Sequence, residues 1–282
     1  MFKIKKRYWI LGGLLGLLFF LVRCEDLKMR YEPEALLADL EQRGITTGEL
    51  KQTTFQDNTL QYLKIGQDIA KPTVVFLHGS PGALSAFQPY YTDSLLLAKC
   101  NLISLDRPGF GYSNFGVAEP SLEQQAAALA QVLSEGPKSK VILVGHSMGG
   151  PVIARAAMDY PEQIHGLVMV APAVSPALEP SNTWRRIVNF LPLRLFTPPA
   201  LRVCNQEILP LKTELEEMLP NWAELRMPVT VVQGMEDALV PMGNASFVKE
   251  QMPSDSLVNI RYVEGGDHFI LWSEVPLVRT EI

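Results

Sequence analysis

One serine stands between two glycines at the end of a continuous apolar run, in the stretch VILVGHSMGG at residues 141–150. A tight turn with small neighbours would leave the hydroxyl of Ser147 clear above a sheet, where it could attack a substrate carbonyl. This chemistry requires a strand before the turn and a helix after it, and the flanking residues predict both. Ser147 is therefore a candidate nucleophile, and the alternative is a small residue at a glycine-rich bend.

A serine hydroxyl is a weak nucleophile, so it needs a positioned base. The chain has four histidines. His268 follows the last predicted strand, at the edge of the sheet where the carboxyl ends of parallel strands meet. His78 opens the loop HGSPG, His146 is next to the serine with its side chain expected to point away, and His165 is expected at the opposite edge. We therefore expect His268 to be the base, with a structural loop histidine as the alternative.

A carboxylate must orient the base. Asp237 follows the penultimate predicted strand, in QGMEDALVP, and gives the chain order Ser, Asp, His that is typical of a nucleophile elbow. Its neighbour Glu236 could take its place if the register differs by one residue. Asp106 precedes the serine and is expected to hold its own loop, and Asp267 is too close in sequence to face His268 easily. Asp237 is the favoured carboxylate.

Negative charge develops on the substrate oxygen during acyl transfer, and fixed N–H donors must stabilise it. The backbone N–H of Met148, directly after the candidate nucleophile, is the first predicted donor. The second is expected from the loop after the first buried parallel strand, HGSPG at residues 78–82, with Ser80 as the donor residue. An ordinary turn made by glycine and proline is the alternative interpretation of this loop.

The elements that would hold these residues follow from the hydrophobic pattern. Continuous apolar strands alternate with helices across residues 53–173 and 227–282, which is typical of an α/β core with a mostly parallel twisted sheet and helices on both faces. Alternation within this core around Asp57 and Asn58 indicates a hairpin that would add antiparallel strands at one edge. Residues 26–52 are expected to be a connecting region with one short helix.

Residues 174–226 interrupt this rhythm with a segment rich in proline, leucine and aromatic residues. The segment contains short helical runs and no predicted strand, and it is too long for an ordinary loop. We therefore expect a small helical lid inserted into the core. Its aromatic side chains Trp184, Phe190, Phe196 and Trp222 could line an apolar substrate pocket, and packing of the lid onto the core is the alternative.

The first 25 residues differ from the rest of the chain. Four basic residues in MFKIKKR precede fifteen uncharged residues, YWILGGLLGLLFFLV. This run is shorter than the roughly 20 residues that span a bilayer, although flanking aromatic and basic residues can compensate in part. We predict a single-pass transmembrane anchor with a cytoplasmic N-terminus and a periplasmic or extracytoplasmic catalytic domain. A cleaved signal peptide and secretion are the alternative.

The charge balance of the chain bears on its partners. The net charge is −5 and no basic stripe occurs, so we do not expect a nucleic acid to be bound. The three cysteines are widely spaced and form neither a disulfide framework nor a metal-binding pattern.

Taken together, the motifs HGSPG, DRPGFGYS, GHSMGG, GMEDALVP and GGDHF resemble those of the α/β-hydrolase superfamily in order and position. The resemblance covers about residues 50–280. It implies Ser147, Asp237 and His268 as the catalytic triad, oxyanion donors at Ser80 and Met148, a lid, and no requirement for a metal or an organic cofactor. Relatives with an aspartate nucleophile are disfavoured by the serine, and proline iminopeptidases by Met148, where they carry tryptophan.

The function that these observations favour is hydrolysis of carboxylic esters through an acyl-enzyme, with a small acyl ester or a lipid as substrate. A different acyl-serine enzyme is the first alternative: a thioesterase, aminopeptidase, acyltransferase or carbon–carbon hydrolase. A non-catalytic binding protein on the same fold is the second. Fold-level resemblance does not distinguish substrates, because function depends on the site.

Overall fold

The computed structural model describes residues 6–23, 29–136, 138–180, 183–190, 194 and 197–282. Its strands are β1 (Gly48–Phe55), β2 (Asn58–Ile65), β3 (Thr73–Leu77), β4 (Asn101–Leu105), β5 (Val141–His146), β6 (Ile164–Val170), β7 (Val229–Gly234) and β8 (Val258–Val263). Its helices lie at Lys6–Arg23, Pro33–Gln42, Gln88–Tyr91, Ser94–Lys99, Leu122–Ser134, Gly149–Asp159, Thr183–Val188, Pro199–Met218, Gly243–Gln251, Ile270–Ser273 and Val275–Glu281.

The eight strands form one sheet in the order β1-β2-β4-β3-β5-β6-β7-β8. Every neighbouring pair from β4 to β8 is parallel, and only β1 with β2 and β2 with β4 are antiparallel. The predicted mostly parallel sheet is therefore confirmed. The strand order reverses around β3, and ligands of open α/β sheets bind beyond the carboxyl ends of the strands at such a point.

The antiparallel edge is the hairpin of β1 and β2. Phe55 pairs with Asn58, so the turn consists of two residues, Gln56 and Asp57. Both have positive φ, +47° and +53°, as a type I′ turn requires. The sequence placed the turn around Asp57 and Asn58, and the structure places it one residue earlier.

The core lies on both faces of the sheet, in two apolar clusters. Along β3, Val75 and Leu77 face one cluster, and Val74 and Phe76 face the other. All four side chains are fully buried, which explains why the strand is a continuous apolar run rather than an alternating one. Burial of each such side chain stabilises the fold by about 1.5–3 kcal/mol.

The predicted lid segment differs in detail from the expected short helical runs. Its largest element is one helix of 20 residues, Pro199–Met218, which continues through Pro210. Proline removes a helical hydrogen bond, but the helix buries Val203, Leu211 and Leu215, and tertiary burial outweighs that local cost. We call Pro199–Met218 the lid helix.

The N-terminal helix Lys6–Arg23 exposes the side chains that the structure describes in it, for example Trp9. Among the described residues, no helix combines the length and the apolar character needed to cross a membrane. The transmembrane anchor predicted for residues 1–25 is therefore not supported. The predicted segment boundaries, 1–25, 26–52, 53–173 with 227–282, and 174–226, stay predictions.

Candidate active site

Ser147 occupies a strained turn between β5 and the helix Gly149–Asp159. Its φ is +52°, a left-handed conformation that residues other than glycine seldom adopt. The turn is fixed on both sides, because the Ser147 N–H donates to Val170 O at 2.9 Å and Gly150 N–H donates to Ser147 O at 2.9 Å. Such strain is typical of functional positions.

The two glycines of the motif are required by close backbone approach. A Cβ at Gly145 would lie 2.5 Å from Gly149 O, and a Cβ at Gly149 would lie 2.3 Å from Leu77 O. No side chain fits at either distance, so the spacing G-x-S-x-G follows from the packing of strand, turn and helix.

Asp237 and His268 are in contact beyond the carboxyl ends of β7 and β8. His268 Nδ1 lies 2.8 Å from Asp237 Oδ2, and both residues are buried. Asp237 Oδ1 accepts hydrogen bonds from the N–H groups of Leu239 at 2.9 Å and Val240 at 2.7 Å. Burial favours the neutral acid, but the hydrogen bonds from His268 and the backbone outweigh it and lower the pKa of Asp237. The carboxylate therefore stays ionised and holds Nδ1 protonated, which leaves His268 Nε2 able to accept a proton.

The competing carboxylates lie elsewhere. Glu236 and Asp267 are exposed. Asp106 is fully buried and, as predicted, holds its own loop: its oxygens accept from Leu84 N, Tyr112 N and Tyr31 Oη at 2.7–3.0 Å. Burial is the main reason why the pKa of Asp106 is raised to about 6.

The loop HGSPG lies directly against the serine turn, because β3 and β5 are neighbours in register and Leu77 pairs with Gly145. A Cβ built on Gly79 would be 3.0 Å from the Cβ of Ser147. Ser80 and Met148 line the same cavity as Ser147. The two predicted oxyanion donors are therefore placed beside the candidate nucleophile.

Arg107 holds the HGSPG loop in place through hydrogen bonds, a role that the sequence did not predict. The side chain is fully buried. Its Nε donates to His78 O at 2.8 Å and its Nη2 donates to Gly79 O at 2.9 Å. Nη1 also donates at 2.7 Å to Gln125 and at 2.8 Å to Glu207, which belongs to the lid helix. One guanidinium thus joins the predicted oxyanion loop to the lid.

A signal for this contact exists in the sequence. Glu207 lies four residues after Val203 and four before Leu211, on the face of the lid helix that is otherwise apolar. A charge on a buried face needs a partner of opposite charge. The pattern therefore indicated a buried cation, although not which one.

The other three histidines have structural contacts. His78 is fully buried, and its Nε2 accepts from Arg107 N at 3.0 Å while Nδ1 lies 2.7 Å from Gly79 O. Burial and then the charge of Arg107 hold the pKa of His78 well below its usual value, so it is neutral. His165 Nδ1 accepts from Val141 N at 3.3 Å, at the amino end of β5.

His146 differs from its prediction, because its side chain lines the same cavity as Ser147. Its Nε2 lies 3.1 Å from His268 O, and the two imidazole rings are 5.0 Å apart. Burial, followed by the nearby His268, lowers the pKa of His146 to about 4. The neutral ring therefore supports the backbone of His268.

Two cavities open onto Ser147 and share Ser80 and His268. The larger, about 550 Å³, is bordered mainly by apolar side chains such as Trp272. The smaller, about 270 Å³, is bordered by the lid helix and by Glu179 and Arg185, whose charges have opposite sign. A substrate with an arm on each side of its reacting carbonyl fits this arrangement. Within the described ranges, no three His, Cys, Asp or Glu side chains converge as metal ligands would.

None of the predicted pocket residues that the structure describes lines either cavity. Trp222 is fully buried in the core against Phe247 and lines neither cavity. Phe190 is 72% exposed and lines neither cavity. Packing of the lid, rather than substrate binding, therefore explains Trp222. The side chain of Trp184 and all of Phe196 lie outside the described residues.

Comparison with known proteins identifies the fold. Residues 72–200 match the model of the family described as the α/β hydrolase fold. The solved structure of a membrane phospholipase A, described as a bacterial virulence factor, is 18% identical, with a TM-score of 0.65 over 97% of this chain and 94% of its own. The resemblance to the α/β-hydrolase superfamily found in the sequence is therefore confirmed.

Curated relatives include an esterase. A pimeloyl-[acyl-carrier protein] methyl ester esterase of Vibrio campbellii is 26% identical over 65% of this chain and 83% of its own. A dihydrolipoyllysine-residue acetyltransferase component of the acetoin cleaving system of Cupriavidus necator is 36% identical over 36% of this chain. The match spans only 26% of that acetyltransferase component. These similarities support a hydrolase and leave the substrate open.

Proposed function

We propose that this protein is a serine hydrolase that cleaves carboxylic esters through an acyl-enzyme. The observation that carries the proposal is the 2.8 Å contact between His268 Nδ1 and the ionised Asp237, with His268 and Ser147 bordering the same two cavities. Ser147 is the nucleophile, His268 the base and Asp237 the carboxylate that orients it.

In the proposed reaction, Ser147 Oγ attacks the ester carbonyl carbon while its proton passes to His268 Nε2. The N–H groups of Ser80 and Met148 stabilise the charge on the carbonyl oxygen, and one such donor contributes about 2.7–4 kcal/mol to the transition state. Collapse breaks the ester C–O bond, and His268 returns the proton to the leaving alcohol. Water then attacks the acyl-serine by the same route, which releases the acid and restores Ser147.

The similarity to the esterase of Vibrio campbellii supports carboxylic esters as the substrate class, since the alignment with this chain covers 83% of that esterase. The apolar border of the larger cavity favours an ester with at least one apolar arm. A thioesterase, aminopeptidase, acyltransferase or carbon–carbon hydrolase would use the same three residues, so substrate tests must separate them.

The test is a panel of p-nitrophenyl esters of increasing acyl length, with thioesters and aminoacyl amides beside them. We expect ester turnover by the wild type, weaker turnover of the other classes, and loss of turnover in Ser147→Ala. Faster turnover of thioesters or amides than of all esters would reassign the activity. A folded wild type that hydrolyses none of them would contradict an acyl-serine hydrolase.

We also propose that the N-terminal helix attaches the protein to a membrane, with the catalytic domain on the extracytoplasmic side. The support is its row of exposed apolar side chains, including Trp9, Leu14 and Phe19, which follow the basic residues at the N-terminus. Deletion of residues 1–25 should release the protein from carbonate-washed membranes. A full-length protein that stays in the supernatant would contradict attachment.

A further inference from the structure

The larger cavity beside Ser147 is bordered by one cation, Arg30, and by no carboxylate among the residues described. The rest of its border is largely apolar and includes Met29, Phe269 and Trp272. These three side chains are 41–54% exposed, so the cavity opens to solvent. A charged group could therefore enter it without complete loss of hydration, which avoids most of the cost of burying a charge.

The guanidinium of Arg30 is held in a fixed position by three neighbours. Its Nε donates to Gly111 O at 2.7 Å. Its central carbon lies 4.2 Å from the ring centre of Tyr112 and 4.4 Å from that of Phe115. Ring contacts of this kind use the faces of the guanidinium and leave its edge, with the two Nη groups, able to form hydrogen bonds.

Arg30 has no counter-ion in the part of the chain that the structure describes, where no carboxylate oxygen lies within 4.0 Å of it. The buried Asp106 is near enough for the charge of Arg30 to lower its pKa, but only as a minor influence. The oxygens of Asp106 already accept from Leu84, Tyr112 and Tyr31. A fixed guanidinium without a carboxylate partner, on a residue that borders the larger cavity, has the properties of an anion-binding group.

We propose that Arg30 binds an anionic oxygen group, a carboxylate or a phosphate, on the substrate arm that enters the larger cavity. This inference rests on the proposed ester hydrolysis at Ser147 and narrows its substrate class. The preferred esters are those in which one apolar arm ends in such an anionic group. A fork of two N–H donors on a planar cation matches both groups in a bidentate manner.

The experiment compares esters of equal length that differ only in the terminal group. In the first series the terminal group is on the acyl arm, and the substrates are p-nitrophenyl esters whose acyl chain ends in methyl, carboxylate or phosphate. The second series carries it on the alcohol arm, as butyrate esters of alcohols with the same three ends. The readout is the ratio of kcat/KM for the charged ester to that for the neutral ester, measured in wild type, Arg30→Gln and Arg43→Gln. Arg43 is the matched control, because it is an exposed arginine that lines neither cavity.

In one of the two series we expect the wild-type ratio to be about 10 to 100, the effect of a charge-assisted hydrogen bond. The ratio should fall to about one in Arg30→Gln and stay at the wild-type value in Arg43→Gln. A purely structural role of Arg30 beside Asp106 would change both esters alike and leave the ratio unchanged. The carboxylate and phosphate members show which of the two groups is preferred.

Three results would overturn the inference. The ratio could be near one in both series, it could survive in Arg30→Gln, or it could fall equally in Arg43→Gln, which would indicate a long-range charge effect. If the wild type hydrolyses no ester of either series, the proposed function itself fails, and that outcome is distinct from hydrolysis without charge preference.

Discussion

Replacement of Glu207 by glutamine should weaken both the fold and the predicted oxyanion loop. Arg107 and Glu207 are fully buried and joined at 2.8 and 3.1 Å. Removal of one partner from a buried ion pair leaves an uncompensated charge and costs about 3–5 kcal/mol. Glutamine keeps one acceptor, so we expect a loss near the lower limit, about 3 kcal/mol, in the free energy of unfolding in urea.

The same substitution should lower kcat. Arg107 also donates to the carbonyl oxygens of His78 and Gly79, so a shift of its guanidinium moves the loop that carries Ser80. Complete loss of an oxyanion donor lowers kcat by about 100- to 1000-fold. A displaced donor should lower it by about tenfold with KM nearly unchanged, because this interaction acts in the transition state. The assay is initial-rate hydrolysis of a p-nitrophenyl ester.

Two further variants separate loop positioning from stability. Glu217→Gln, at an exposed position of the same lid helix, should change stability by less than about 0.5 kcal/mol. The double variant Arg107→Met with Glu207→Leu replaces the ion pair by apolar side chains and should recover part of the stability that Glu207→Gln loses. Its kcat should stay low, since the His78 and Gly79 carbonyls lose their donors. Recovery of wild-type kcat in the double variant, or unchanged unfolding of Glu207→Gln, would refute this reasoning.

Three other predictions concern single residues. Asp237→Asn should lower kcat by about 10³- to 10⁴-fold at an unchanged Tm, because the amide favours the wrong tautomer of the imidazole; a loss below tenfold would argue against its role. Gly149→Ala should prevent stable folding, because its Cβ would lie 2.3 Å from Leu77 O. Gly136→Ala should keep a cooperative thermal transition, because its Cβ would meet no atom closer than 3.4 Å. Equal Tm values for the two variants would contradict the packing argument. Burial raises the pKa of Asp106 from 3.8 to about 6, so its contribution to stability is present at low pH and is lost as the pH rises through this interval. The stability of the wild type minus that of Asp106→Asn should therefore fall by about 2 kcal/mol between pH 4 and pH 6.5 in urea titrations, and a constant difference would contradict the raised pKa.

The parts of the fold that the sequence predicted are those that local pattern controls. The apolar runs predicted the buried strands β3 and β5, and the glycines around Ser147 predicted the tight turn after β5. The structure gives the reason for these glycines, because a Cβ at Gly145 or Gly149 would lie within 2.5 Å of other backbone atoms. Parallel strands bring their carboxyl ends to one edge, so the proximity of Ser147 and His268 followed from strand order alone. Only the structure shows that His268 contacts Asp237 rather than Glu236, because the sequence does not define the strand register to within one residue.

What could not be predicted depends on tertiary partners. Trp222 lies in the core rather than in the pocket. The sequence did not predict this, because composition does not show which face of a segment packs against the rest of the protein. The lid helix continues through Pro210, because burial of its apolar face outweighs the local cost of the proline. That burial depends on the assembled fold and could not be predicted from the local sequence. Arg107 appeared in the sequence as part of a loop motif, and only the structure shows that Glu207, one hundred residues later, is its partner.

Covalent labelling of Ser147 tests the proposed chemistry most directly. The wild type should react with a fluorophosphonate to give one adduct by intact mass, and peptide mapping should place it on Ser147. Ser147→Ala, with an unchanged circular dichroism spectrum, should remain unmodified. A folded wild type that takes up no label, or equal labelling of Ser147→Ala, would contradict an acyl-serine mechanism.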